Sequence, residues 1–374
     1  MSQFLSVLGF ELAFRRRHPP LWIFTGVCFL FAFLSVAIDG GMGPFGGEGT
    51  IAINAPAALT RMLLTFCLLL GLVITTAFVA SAVNRDAEYG IHSLFLTTPL
   101  RKLPYLFGRF CGAMLAAFLM ISGLALGAML ASVMPWIDPE RLVPFSLTPY
   151  LYGLGVLLFP NLLLIGALSF TVATLTRRLL YAYVALLGLM VIYIVSGNYI
   201  ADLDNDTFAA ISDPFALRTY GYAVRYWTPA ELNSLAAPVT RELVLNRLLW
   251  GAVSLGLLAL TAVRYRMVLP TGGKAGERAD EVEKAPEVLP ALPRVQPRND
   301  MRAALAALVV QSRSEIRGLV RGVPFLIIAL FGALNILGAA FALIERGGTV
   351  TLPVTHIMLD VVEGGMAAFM LIVL

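Results

Sequence analysis

Five charged side chains stand together in one short polar stretch of an otherwise apolar sequence. Arg85, Asp86, Glu88, Arg101 and Lys102 lie in AVNRDAEYGIHSLFLTTPLRKLPYLFG, residues 82–108, between two of the most apolar runs in the chain. Among them sit Ile91, Leu94, Phe95 and Leu96, a helix-like apolar centre that is costly to leave in water. Such residues make ion pairs and a hydrophobic contact, so the chemistry predicted here is the docking of a protein partner. A solvated connection between two membrane spans is the competing reading of the same residues.

Other chemistry is missing. No GxxxxGK[ST] phosphate loop occurs, and Gly272-Gly273-Lys274 lacks its spacing, so the chain is not expected to hydrolyse ATP by itself. No HExxH occurs, and His18, His92 and His356 are scattered, which argues against a zinc site or a Ser-His-Asp triad. Cys28, Cys67 and Cys111 fall inside apolar runs and read as small core residues rather than a disulfide framework. Asp, Glu, Lys and Arg are absent from the middles of the expected spans, which disfavours an ion-coupled carrier. Asn161, Asn198 and Asn335 are the strongest polar residues there, and each reads as an interhelical hydrogen-bonding group.

The elements that position the polar stretch are membrane helices. Of the 374 residues, 59% are apolar and 13% charged, with mean hydropathy +0.82. Soluble domains carry about a quarter charged residues. Several runs reach the ~20 residues that cross a bilayer as helix, and no repeated alternation suggests a barrel. Residues 2–17 form a broadly amphipathic helix with Phe4, Leu8 and Leu12 on its apolar face, interrupted by Glu11. Its basic end is Arg15, Arg16 and Arg17, and it is expected to lie in the interface plane. His18-Pro19-Pro20 turns the chain into the membrane.

Spans are expected over Leu21–Ile38, Met62–Val83, Leu103–Met134, Tyr150–Leu175, Leu179–Ile200 and Asn246–Val263. The third exceeds a bare crossing, so its first turns are expected to project into the cytosol and carry Arg109 with them. Residues 201–245, rich in Tyr and Trp, suit an outer interfacial segment, either an ordered cap or a substrate gate. Residues 267–300 read as a cytosolic disordered linker. With the N-terminus inside, 20 of the 27 Lys and Arg lie on the cytosolic side, in accord with the positive-inside rule.

After the linker the order of features restarts. Residues 301–321 make an amphipathic helix bearing Arg313, Arg317 and Arg321, and a seventh span follows over Val323–Ile344. A Gly-rich loop and the truncated start of an eighth span complete it, as in residues 1–74. The fold expected is an all-α integral membrane protein, a six-span unit followed by the start of a second, truncated unit. The chain is expected to be the N-terminal part of a longer protein or a truncated product.

The N-terminal helix, the six spans and the loop NRDAEYGIHSLFLTTPLRKLPYLFGRF together resemble type-two ABC exporter permeases. The match runs through the acidic-x-Gly element Glu88-Tyr89-Gly90, a short helix over Ile91–Thr97, Pro99 with Arg101 and Lys102, and Gly108-Arg109 opening the third span. The resemblance implies that Arg85, Asp86, Glu88, Tyr89, Gly90, Leu94, Phe95, Pro99, Arg101 and Lys102 form a coupling loop seated on a separate ATPase subunit. ATP and Mg would then sit on that partner and not on this chain. It also implies an inner-membrane exporter permease working with a second permease half or as a homodimer, in contact with the lipid bilayer and with no nucleic acid.

The whole chain, including SDPFALRTYGYAVRYWTPAELN, is similar to the membrane part of bacterial ABC permease/zinc aminopeptidase fusion proteins. No peptidase residues are present in it. A membrane anchor or scaffold for a fused or associated hydrolase is the rival reading, and an ion-coupled carrier is the other.

Overall fold

The computed structural model describes residues 2–39, 50–88, 99–201 and 206–265, together with 301, 305, 308–314 and 317. The chain divides into two compact units. All described residues up to 265 belong to the first. Those from 301 onward belong to the second and are helical, with Arg313 and Arg317 exposed. The linker, the seventh span and the remaining residues expected to form a second unit lie outside the described residues.

The described residues of the first unit are mostly helical and include no strand. α1 (Ser2–Arg17) meets α2 (Pro19–Asp39) at His18, where the two prolines occupy the first positions of α2. Proline at a helix start loses no backbone hydrogen bond, because those first N–H groups are unpaired anyway. α3 (Pro56–Phe66) runs through a wider π turn, Cys67–Gly71, into α4 (Leu72–Glu88). α5 (Lys102–Ala131) follows, then α6 (Thr148–Tyr152), a π turn at Gly153–Leu158 and α7 (Phe159–Thr176). Arg177, in left-handed conformation at φ 55°, ends α7 and turns the chain into α8 (Leu179–Ala201). α9 (Asp206–Ser212), α10 (Leu217–Ala223) and α11 (Pro229–Ser234) lead to α12 (Arg241–Arg264).

Five of these helical stretches are long and apolar enough to cross a membrane: Pro19–Asp39, Pro56–Arg85, Lys102–Ala131, Thr148–Thr176 and Arg241–Arg264. α2 and α12 leave Trp22, Ile23, Leu30, Leu248, Leu255 and Val263 exposed. In water that apolar surface would be untenable, whereas against lipid tails it costs nothing. The protein is a multi-pass, all-α membrane protein.

α5 is the central helix, packed by α1 and α2 along one side and by α4 and α7 along another. Small residues make this possible. A methyl group at Gly123 would stand 2.6 Å from the Thr25 carbonyl oxygen, and one at Gly127 would strike the Phe29 backbone. Without a hydrophobic force between helices in lipid, close backbone approach is what gains dispersion energy. Hydroxyl pairs add to it: Thr76 with Ser169 at 3.0 Å, and Thr261 donating to Thr171 at 2.8 Å. Cys28 and Cys67 are buried, Cys111 is half-buried, and all three are free.

Candidate functional site

The ends of the polar loop are gripped by α1. At its N-terminal end, Gln3 donates to the Pro99 carbonyl at 3.0 Å and accepts from the Arg101 amide at 3.2 Å. Two turns later, Gly108 and Gly112 of α5 open a seat for α1, since a methyl group at either would stand 2.8 Å from Val7 or 2.7 Å from Glu11. Phe4, Leu8 and Leu12 are half-buried on this face, while Leu5 and Phe10 are exposed. Four residues apart on a helix puts side chains on one face, and Glu11 and Arg15 use that spacing.

Glu11 is wholly buried and accepts from three arginines. Its Oε1 takes Arg15 Nε at 2.6 Å, and its Oε2 takes both Arg85 Nη2 at 2.7 Å and Arg109 Nη1 at 2.6 Å. Arg15 also donates to the Phe78 carbonyl at 2.7 Å, and the Arg85 guanidinium lies 3.8 Å from the centre of the Phe14 ring. Burial alone would push the Glu11 carboxyl up. The charges of Arg15, Arg85 and Arg109 outweigh it and hold the group below the usual carboxylate range. Arg15 shifts down because burial strips its hydration, partly offset by Glu11. One carboxylate thus ties α1 to the last turn of α4 and the first turns of α5, the two helices that enter and leave the loop.

This arrangement sharpens three expectations. α1 covers the first turns of α5, so Arg109, expected to be carried into the cytosol with them, is 2% exposed and paired with Glu11. Glu11 is not a flaw in an interfacial face but the centre of an ion cluster. Arg15 belongs to that cluster and leaves only Arg16 and Arg17 exposed at the basic end, so α1 is packed on helices rather than merely lying in the interface.

Of the loop residues themselves, Arg85 joins the cluster, and Asp86 and Glu88 close α4. Pro99 and Arg101 are exposed, and Lys102 opens α5 with Nζ 3.5 Å from the Val263 carbonyl. Tyr89, Gly90, Leu94 and Phe95 lie outside the described residues.

A second polar cluster closes the opposite end of the bundle. Asn246 of α12 donates to the carbonyls of Ala210, Ile211 and Asp213 at 2.9, 3.0 and 2.6 Å. Asp213 is buried and accepts from the amides of Phe215 and Arg218 at 2.9 and 2.6 Å. Burial is the dominant influence on it and raises its carboxyl above the ordinary value despite those bonds. Arg247 donates to Asn161 at 2.7 Å, and Asn161 donates to the Phe215 carbonyl at 3.0 Å. Asn161 was legible as a bonding group; its charged partner was not. Arg247 lies in the first turn of the expected span Asn246–Val263; α12 begins five residues earlier, at Arg241, which sets Arg247 in the second turn of a helix long and apolar enough to cross a membrane. Residues 206–240 pack as an ordered cap, with Asn233 bonded to the backbone of Thr50 and Ala52.

Among the described residues no cluster of His, Cys, Asp and Glu could hold a metal. No protein-family model matches the chain, and no curated protein does.

Proposed function

We propose that the chain is the transmembrane permease part of an ATP-driven (ABC) exporter, with residues 85–102 as the coupling loop for a separate ATPase subunit. The observation that carries this reading is the grip of α1 on both ends of that loop: Arg85 through Glu11 before it, Pro99 and Arg101 through Gln3 after it. A push on the loop is then delivered to α1, α4 and α5 as one body, which rigid-body coupling needs. A merely solvated connection needs no such bracing.

In this reading α8, 23 residues long, joins the five membrane helices to make a six-span unit. The α1 end faces the cytosol of a bacterium, across its inner membrane, and a second permease half or a second copy completes the pathway. The chain contributes no catalysis of its own, and ATP is split on the partner.

A photo-cross-linker at Leu94 tests the contact. Adducts with a protein bearing a phosphate-binding loop, absent from the same probe at Phe145 on the opposite end, support it. Equal or no adducts overturn it. Replacing Glu88 and Gly90 together by alanine should abolish transport while ATP hydrolysis continues and membrane insertion is unchanged.

A further inference from the structure

Arg61 is an exposed cation near the start of a helical stretch long and apolar enough to cross a membrane, and it makes no ion pair or side-chain hydrogen bond among the described residues. It opens onto a cavity of about 390 Å³ between α3 and the α10–α11 cap. Leu64, Leu217 and Val224 supply an apolar wall, Tyr220 and Trp227 amphipathic rings, and Arg225 a second guanidinium. Arg225 is partly neutralised by Asp206, 3.7 Å away. Arg61 is not.

Depth identifies what the cavity meets. The stretch Pro56–Arg85 has 30 residues; at 1.5 Å per residue it is about 45 Å long, against ~30 Å of hydrocarbon. Centred on the hydrocarbon and untilted, the stretch would reach about 7 Å into the headgroup zone at each end, which puts Arg61, five residues after Pro56, at the boundary. Leu64 lies a turn deeper, and Trp227 and Tyr220 are side chains that favour this interface. A cation at phosphate depth above an apolar wall matches a molecule with an anionic head and an acyl tail. The volume falls within the range of small-molecule sites, ~300–1,000 Å³.

We propose that this cavity binds one anionic phospholipid, with its headgroup phosphate on Arg61 and an acyl chain running along Leu64 and Leu217. The site stands whether or not the chain works with an ATPase.

The full-length protein with Trp22, Trp136 and Trp250 replaced by phenylalanine keeps Trp227 as its only tryptophan. In vesicles, lipid with brominated acyl chains should quench Trp227 more strongly when the headgroup is phosphatidylglycerol than when it is phosphatidylcholine. The expected preference is about fivefold, the effect of one Arg at an anionic surface. Arg61→Gln should remove that preference, and Arg61→Lys should keep it. Native mass spectrometry of the chain with all its tryptophans gives a second readout: retained phosphatidylglycerol, lost in Arg61→Gln. Equal quenching by both lipids, or a preference unchanged in Arg61→Gln, overturns the proposal. Relief of quenching by millimolar inorganic phosphate overturns the lipid and leaves a free-phosphate site.

Discussion

Glu11 accepts a hydrogen bond from Arg109 at 2.6 Å across 98 positions of sequence, and that contact fixes the first helix against α5. The same carboxylate oxygen holds Arg85. Three cations therefore depend on a single buried acid.

Loss of that acid should be the most damaging change in the cluster. Glu11→Gln leaves three guanidiniums without a countercharge, and breaking a buried ion pair from one side costs about 3–5 kcal/mol. Arg85→Gln should cost clearly less, since Arg15 and Arg109 still balance the carboxylate and Arg85 is the most exposed of the three. Thermal unfolding of the purified variants in detergent gives the order directly. Arg85→Gln proving as damaging as Glu11→Gln would contradict it.

Acid should unlock α1. The Glu11 carboxyl is held below its ordinary value of 4.5, so its contribution is complete above that pH and disappears as pH falls through the lower folded value. Asp213 has the opposite sign. Its carboxyl is raised from 3.8, so its contribution is complete below 3.8 and is lost as pH rises through the higher folded value. Stability measured from pH 3 to 7 should lose its acid-side fall in Glu11→Gln and keep it in Asp213→Asn.

The glycine seat separates packing from charge. Gly112→Ala drives a methyl into Cβ and Cγ of Glu11 and should destabilise by about 1–3 kcal/mol, the cost of overpacking. Gly9→Ala, on the exposed side of the same helix with nothing within 4 Å, should instead stabilise by ~0.5–1 kcal/mol. Denaturation midpoints of the two variants should move in opposite directions.

At the opposite end, Asn246→Ala removes donors from three backbone carbonyls and should cost about 1–3 kcal/mol. Hydrogen exchange should rise across residues 206–220 and stay unchanged in α1. Protection lost at both ends alike would show that the cap is not held locally.

The membrane helices were legible because apolar runs announce themselves: Leu21–Ile38 lies within Pro19–Asp39, and Tyr150–Leu175 within Thr148–Thr176. Glu11 was not. Its i,i+4 partner Arg15 is visible in a helical reading, but Arg85 and Arg109 reach it only through the fold. The burial of Arg109 was hidden for the same reason: hydropathy says how much of α5 exceeds a bilayer, not that another helix shelters the excess. The sharper clue was Gly108 with Gly112, a small-residue pair beside a charge, which marks a helix seat. Asp213 stood in an Asp-Pro turn signal, yet it is enclosed by a fold that brings in Asn246, which no local window contains.

The ion cluster also sets an order on biosynthesis. Glu11 and Arg15 leave the ribosome together and neutralise each other within one helical turn, so α1 can wait without exposing an unbalanced acid. Arg85 arrives only with the end of the second membrane segment, and Arg109 only with the beginning of the third. A nascent chain that has not yet delivered Gly108, Arg109 and Gly112 lacks the seat of its first helix, so α1 can complete its packing only after the polar loop has been made.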